Sequence, residues 1–307
     1  MEIISDIFKN KELIEKSINK YGHEAEHHFY CYLYNLEKGR HHVVFKFNDA
    51  MILGFHNPEK KEWAIFAGIL APENKQTEYL MQFLEYVFSK DADKVWVEFE
   101  TKFREKVLEE LKKNKKFKAR AIAYSLTWPV FDMKKWDGYL MQGKDWKDMR
   151  YYWNKFFKEH KVEFTTADKI TKDCLLNLLD EWKKQRTTGD RAYCDYYFHA
   201  ISSGFEGYTN TRVMIVDGKV CALTAGFKMT NRNYYYSSIG LYNRDFDRIG
   251  EIANMDDLIE LKKKNYEFVD FGGGEESLTN FKKKFKPTYY YQTHVFSIVM
   301  NKDKEKK

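Results

Sequence analysis

The segment NKELIEKSINKYG sets Leu13, Ile14 and Ile18 at helical spacing and stops at Gly22, a residue suited to a C-cap, so it predicts a first helix. The apolar stretches that follow have a different rhythm. HHFYCYLYN and HVVFKF alternate or run apolar around the turn LEKGR, and AMILGFH and EWAIFAGIL come next, which together predict an antiparallel meander. TEYLMQFLEYVFSKD then reads as an amphipathic helix, KVWVEFE as a strand, REKVLEELKKN as a helix and AIAYSLTWPVFDM as an extended segment.

After Trp136 the alternation starts afresh. GKDWKDMRYYWNKFFKEH is a long helix with aromatic and basic faces, EFTTA a short strand, and KDCLLNLLDEWKKQRT and AYCDYYFHAISSGF two further helices. TRVMIVDGKVCALTAGFKM reads as a hairpin turning at DGK, and NYYYSSIGLYN as a strand. IGEIANMDDLIELKKKNY is a helix, EFVDF a strand, ESLTNFKKKF a short helix and YYYQTHVFSIVM a last strand. Each half is thus an α+β arrangement of helices on a mostly antiparallel sheet, and the chain divides into residues 1–135 and 136–307. No sequence repeat relates the halves.

Composition sharpens this picture. The 307 residues are 43% hydrophobic and 17% aromatic, enough for a substantial core, and with 16 glycines and 4 prolines only the tail NKDKEKK reads as disordered. Cys31, Cys174, Cys194 and Cys221 form no CxxC pair, so they read as reduced thiols rather than a disulfide framework or a zinc ribbon. The N-terminus has no secretory signature and no apolar run approaches the roughly 18 residues that span a bilayer, so a soluble cytoplasmic protein is expected. The net charge is +6, yet the basic residues are bunched: nine Lys or Arg against three Glu between Lys102 and Arg120, and Lys282, Lys283, Lys284 and Lys286 almost side by side. Such bunching suits phosphate-bearing partners as well as it suits solvated lysine-rich helices.

Four stretches bear on chemistry. HEAEH, from His23 to His27, matches the zinc pattern HExxH, but it follows a C-cap glycine and runs into a strand-like segment, so the helix that would align both histidines is not expected and no metal site is assigned. FGGGEES fits neither the dinucleotide fingerprint nor the P-loop; what remains is a strand, the turn Gly272-Gly273-Gly274 and a helix start that favours an anion, or a plain strand-to-helix turn. IGLYNRDFDRIGEIANMDD offers Arg244, Arg248 and Gly250 before a helix, a partial match to the [RQ]xxGx[GA] loop that turns backbone N–H groups towards a donor pyrophosphate in acyl-CoA-using transferases. Its spacing is one residue short, and Glu251 stands where a small neutral residue would suit an anion. LMQGKDWKDMRYYWNKF interleaves Lys144, Lys147, Arg150 and Lys155 with Trp146, Trp153 and Phe156, which serves either a nucleic-acid grip or an amphipathic helix that buries its aromatics.

Taken together, these pieces resemble a known family. GKDWKDMRYYWNKF resembles the GKxxxxxRxxxNxF segment that opens the catalytic domain of Fem-type aminoacyltransferases and of the lysylphosphatidylglycerol synthase C-terminal domain. VDGKVCALTAGF resembles their central hairpin, and YEFVDFGGGEESLTNFKKKFKP their closing strand, glycine turn, FK helix and proline. The order agrees from Trp136 to Met300, with the first half resembling the degenerate partner domain of such tandem GNAT folds.

The resemblance implies two tandem GNAT-like domains, each a mostly antiparallel twisted sheet flanked by helices, a cleft between them, and transfer of an acyl or aminoacyl group to an amine or hydroxyl. Lys282, in the FK position after Phe281, would face donor phosphate or the tetrahedral intermediate. Asp270 and Glu275 are the candidates for orienting or deprotonating the acceptor, with Asp270 equally suited to capping the glycine turn. Gly272, Gly273, Gly274, Phe281, Arg244, Arg248 and Gly250 would line the donor, and Lys144 and Arg150 would contact donor or acceptor phosphate. No permanently bound cofactor is expected. The co-substrate is aminoacyl-tRNA, towards which the clustered lysines tilt, or acyl-CoA; the acceptor is a small molecule, peptide or modified polymer. The alternatives are an acyl-CoA-dependent N-acyltransferase on the same fold and a non-catalytic nucleic-acid-binding protein.

Overall fold

The chain begins with a short strand, β1 (Glu2–Ile4), and the expected helix α1 (Lys11–Tyr21), which buries Ile14 and Ile18 and is closed by the Gly22 N–H donating to the Ile18 carbonyl at 2.7 Å. The structure, a computed structural model, describes residues 1–48, 50–186 and 194–301. HEAEH forms a turn, with His27 Nδ1 accepting from the N–H groups of His23 and Glu24 at 3.1 and 3.0 Å. HHFYCYLYN, expected to be a strand of the meander, folds instead as helix α2 (Phe29–Tyr34). Five of its six residues are buried, so no polar face betrays a period, and a six-residue apolar run does not distinguish buried helix from buried strand.

The meander itself follows as β2 (His41–Phe47), β3 (Ala50–Asn57) and β4 (Glu62–Ile65). Helix α3 (Gln76–Ser89), strand β5 (Lys94–Glu100), helix α4 (Thr101–Asn114) and a short strand β6 (Phe117–Ala119) come next. Strand β7 (Tyr124–Asp132) leads to helix α5 (Lys147–Glu159), strand β8 (Val162–Thr165), and helices α6 (Lys172–Lys184) and α7 (Cys194–Ser202). The start of AYCDYYFHAISSGF lies outside the described residues. Strands β9 (Asn210–Val216) and β10 (Lys219–Lys228) form the predicted hairpin, its turn made by Asp217 and Gly218 at φ 50° and 83°, the left-handed pair that a two-residue hairpin requires. Then come β11 (Tyr234–Tyr242), α8 (Ile249–Lys263), β12 (Phe268–Asp270), α9 (Glu276–Lys283) and β13 (Tyr289–Met300). Of the tail NKDKEKK only Asn301 is described.

The chain forms two compact units, one of residues 1–127 with 291–307 and one of residues 128–290. The sequence division at 135 and 136 left the last strand with the second half, whereas residues from Tyr291 onward belong with the first unit. Pairing explains the difference: Thr293 to Ile298 lie antiparallel to β5, and Ile298 to Met300 pair with β6. The first unit orders its strands β1-β2-β3-β4-β5-β13, antiparallel except between β4 and β5. Its core joins Phe45, Phe83, Leu84, Val97, Phe99, Val107, Phe296 and Ile298, all at most 2% exposed, each contributing about 1.5–3 kcal/mol by leaving water.

The second unit orders its strands β7-β12-β11-β10-β9-β8, antiparallel except between β11 and β12. Helix α8 is buried on most sides and packs Met255, Leu258 and Leu261 against Phe131, Tyr235, Val269 and Phe285. Two local features position the site. Ala225 pairs with Ile239 and Gly226 with Ser237, so Ser238 is an extra, bulged residue in β11. Strand β12 pairs with β11 over only three residues, ending at Asp270 opposite Tyr236, while β11 runs on to Tyr242.

Candidate active site

Where β12 stops, the chain needs a sharp bend, and Gly272 supplies it with φ 74°, a left-handed conformation that costs other residues about 1–2 kcal/mol. Asp270, fully buried, fixes the bend: its Oδ1 accepts from the Gly272 N–H at 2.9 Å and its Oδ2 from the Tyr234 hydroxyl at 3.0 Å. Burial and the adjoining carboxylate hold the Tyr234 hydroxyl far above its usual pKa, so it remains a donor. Gly273 passes so close to the indole of Trp128 that a Cβ there would lie 2.7 Å from a ring atom. After Gly274, the turn is tied to α9 by the Thr279 hydroxyl donating to the Gly274 carbonyl at 2.9 Å.

Helix α9 returns Lys282 to this turn. Its Nζ donates to the carbonyls of Phe271 at 2.5 Å and Gly272 at 2.8 Å, and the residue is 8% exposed. Burial pushes the ammonium down to about 8, against the opposing pull of Asp270. An ammonium has three donors, and two are taken by these carbonyls. Lys282 is thus a buried cation held in place by backbone at the point where β11 and β12 part. Glu275 immediately precedes α9 and is exposed.

The remaining predicted residues separate into two groups. Gly250 and Phe281 join the start of α8 to α9: a Cβ at Gly250 would meet the Phe281 ring at 3.3 Å, and Phe281 in turn packs on the fully buried Phe285 with ring centroids 5.4 Å apart. Arg248 is the left-handed N-cap residue of α8 at φ 64° and donates to Glu251 at 3.1 Å. By contrast, Arg244 is engaged elsewhere, its N–H and guanidinium bonding the side chain and carbonyl of Gln185 at 2.7 and 3.3 Å. Arg150 turns to its own segment, donating to the carbonyls of Met141 and Gly143, so its guanidinium fastens the loop before α5. Lys144 is exposed one turn before α5. The aromatics of this segment divide, with Trp146 and Phe156 buried, Trp153 half-buried and Tyr151 exposed.

Sequence reasoning noted Glu251 but not its burial, and overlooked Asp256 and Asp257 of α8. Glu251 accepts from Arg248 and from Lys284 at 2.8 Å; burial works against its charge, but the two cations hold it below the usual carboxylate range. Asp257, fully buried, accepts from Asn210 at 2.9 Å, and burial followed by the neighbouring Asp256 pushes it up to about 7. Asp256 pairs with Arg212 at 2.6 Å. The signal was the run NMDD set between the apolar residues Ile252, Ala253, Leu258 and Ile259 of the helix, since acids at core positions are expensive unless paired. No group of three or more His, Cys, Asp or Glu suited to a metal occurs among the described residues, and no helix among them is long and apolar enough to cross a membrane.

No family model matches the sequence, and no curated protein sequence does. Solved structures do. The L-PGS structure from Bacillus licheniformis is 14% identical with a TM-score of 0.65, over 95% of this chain and 92% of that one. FemX is 12% identical at 0.62, over 98% of both chains. A tandem GNAT protein from the clavulanic acid biosynthesis pathway is 9% identical at 0.60, again over 98% of both. At these identities the TM-scores show a shared fold and nothing finer: a mixed α+β arrangement with a mostly antiparallel sheet, similar to that of the tandem GNAT protein.

Proposed function

We propose that the protein is an acyltransferase that moves an aminoacyl group from charged tRNA to an amine or hydroxyl on a small molecule, peptide or modified polymer. The observation that carries the reading is Lys282, a buried cation fastened to the carbonyls of Phe271 and Gly272 beside the parting strands. In this reaction the acceptor nitrogen or oxygen adds to the ester carbonyl, whose π electrons move onto its oxygen; collapse of that adduct re-forms the carbonyl and breaks the bond to the tRNA ribose oxygen, on which the acceptor proton ends. The tetrahedral intermediate carries an oxyanion, and the third N–H of Lys282 is the donor suited to it. Asp270 acts as a positioning residue, holding the bend through Gly272; Glu275, exposed beside the turn, is the proposed proton acceptor.

The choice of tRNA draws on α5. Lys147, Tyr151, Lys155 and Lys158 are all exposed and recur at intervals of four, four and three residues, so they form one stripe along the helix, with Tyr151 61% exposed among the cations. Lysines around an exposed ring suit a phosphate backbone with unpaired bases. Charged tRNA as donor also places the reaction in the cytoplasm.

Replacing Lys282 tests the proposal. K282A, checked for native circular dichroism, is expected to lose about a hundredfold in turnover with charged tRNA, the scale for one electrostatic stabiliser; unchanged turnover would remove Lys282 from the mechanism. Binding of bulk tRNA that weakens steeply with salt supports the donor, whereas thermal stabilisation by coenzyme A and none by tRNA rejects it.

A further inference from the structure

Three charged side chains converge at the start of α8. Glu251, in the first turn, has a side chain only 8% exposed, and its Oε1 accepts from Arg248 Nη1 at 3.1 Å and Lys284 Nζ at 2.8 Å. Arg248 arrives from the N-cap position, its guanidinium over the Tyr152 ring at 4.5 Å, and Lys284 arrives from the end of α9. A helix start favours an anion through its unpaired N–H groups and its dipole, and two cations strengthen the preference. Here the anion is part of the chain.

That arrangement has a price for any other anion. A diphosphate brought to the same helix start would meet a buried carboxylate, in surroundings where like charges repel far more than in water. It would also find Arg248 and Lys284 already hydrogen-bonded. To displace Glu251 it would have to leave that carboxylate without partners, which is costly for a group so far from solvent.

We propose that Glu251 is a donor-specificity residue: by occupying Arg248 and Lys284 at the start of α8, it denies that position to the diphosphate of a coenzyme A donor. The inference deepens the proposed transferase reading, although its binding component stands without it. Transfer is left to a donor held by contacts elsewhere on the protein.

The experiment is calorimetric titration of coenzyme A into the full chain as wild type, E251Q and E251S, each checked for an unchanged fold by circular dichroism, alongside a transfer assay with charged tRNA. Wild type is expected to bind coenzyme A at least about tenfold more weakly than the neutral variants, the factor that corresponds to about 1.4 kcal/mol. Adding R248Q to either variant should reduce the gain, and adding R248Q and K284Q together should abolish it. Equal affinity of wild type and both folded variants overturns the inference, as does a gain that survives removal of both cations. The two readings fail separately: tRNA-dependent transfer with no gain on E251Q or E251S sinks only the role of Glu251, while a clear gain with no transfer from tRNA sinks only the donor assigned above. E251S serves where the longer amide of E251Q does not fold.

Discussion

Lys282 carries charge only below its displaced pKa of about 8, so the proposed role has a pH signature. If the ammonium stabilises the oxyanion, turnover falls as pH rises through about 8, because the folded protein then loses the proton that an exposed lysine would keep. A profile that climbs through the same range would instead make the neutral amine a base and end the cationic assignment. The glycine turn makes a second prediction. G272A forces a Cβ onto φ 74° and is expected to destabilise by about 1–2 kcal/mol in denaturant unfolding. G273A, whose Cβ would lie 2.7 Å from the Trp128 ring, should cost more than G274A, where the neighbour at 3.0 Å is the flexible Leu278. That Lys282 and Asp270 meet at the glycine turn was legible in the sequence because the order strand, GGG, FK is short and local. The partners that fix them were not: Tyr234 lies 36 residues from Asp270, and no local pattern announces that bond.

At the scale of elements, the close approach of α8 and α9 is the testable feature. G250A would set a Cβ 3.3 Å from the Phe281 ring, and that ring is backed by Phe285. Overpacking of this kind costs about 1–3 kcal/mol, partly offset by the better helix propensity of alanine. Shortening the neighbour should relieve it, so G250A is expected to be better tolerated in an F281L background, with a coupling of at least about 0.5 kcal/mol in a double-mutant cycle. Additive effects would show that the two helices adjust independently. Most elements were readable because their periods are clean, as in α6, where Leu175, Leu178, Leu179 and Trp182 form one buried face. The misreading at α2 and the silence over Asp256 and Asp257 of α8 share a cause: an element buried on most sides shows no polar face from which to infer its orientation.

For the molecule as a whole, buried acids predict how stability varies with pH. Asp257 in the second unit is pushed up to about 7 by burial and by Asp256, and Glu24 in the first to about 8 by burial and by Glu98 and Glu100. An acid with a raised folded pKa keeps a proton that the unfolded chain releases from about pH 4 upward, so its contribution is complete below that point and is lost as pH rises through the folded value. Thermal midpoints should therefore decline between about pH 5 and 8 from these groups, and D257N, which cannot release a proton, should flatten part of the decline. A D257N curve parallel to wild type would remove Asp257 as a source.

The last strand bears on how the chain comes to be folded. Strand β5 pairs with Thr293 to Ile298, which leave the ribosome only after residues 128–290 have been made. Until then the hydrogen-bonding edge of β5 that Thr293 to Ile298 will cover lacks this partner, and Val97 and Phe99 lack Phe296 and Ile298 in their core. The first unit to be synthesised is therefore the later to be completed, and an interrupted chain would expose a sheet edge that invites pairing with other chains.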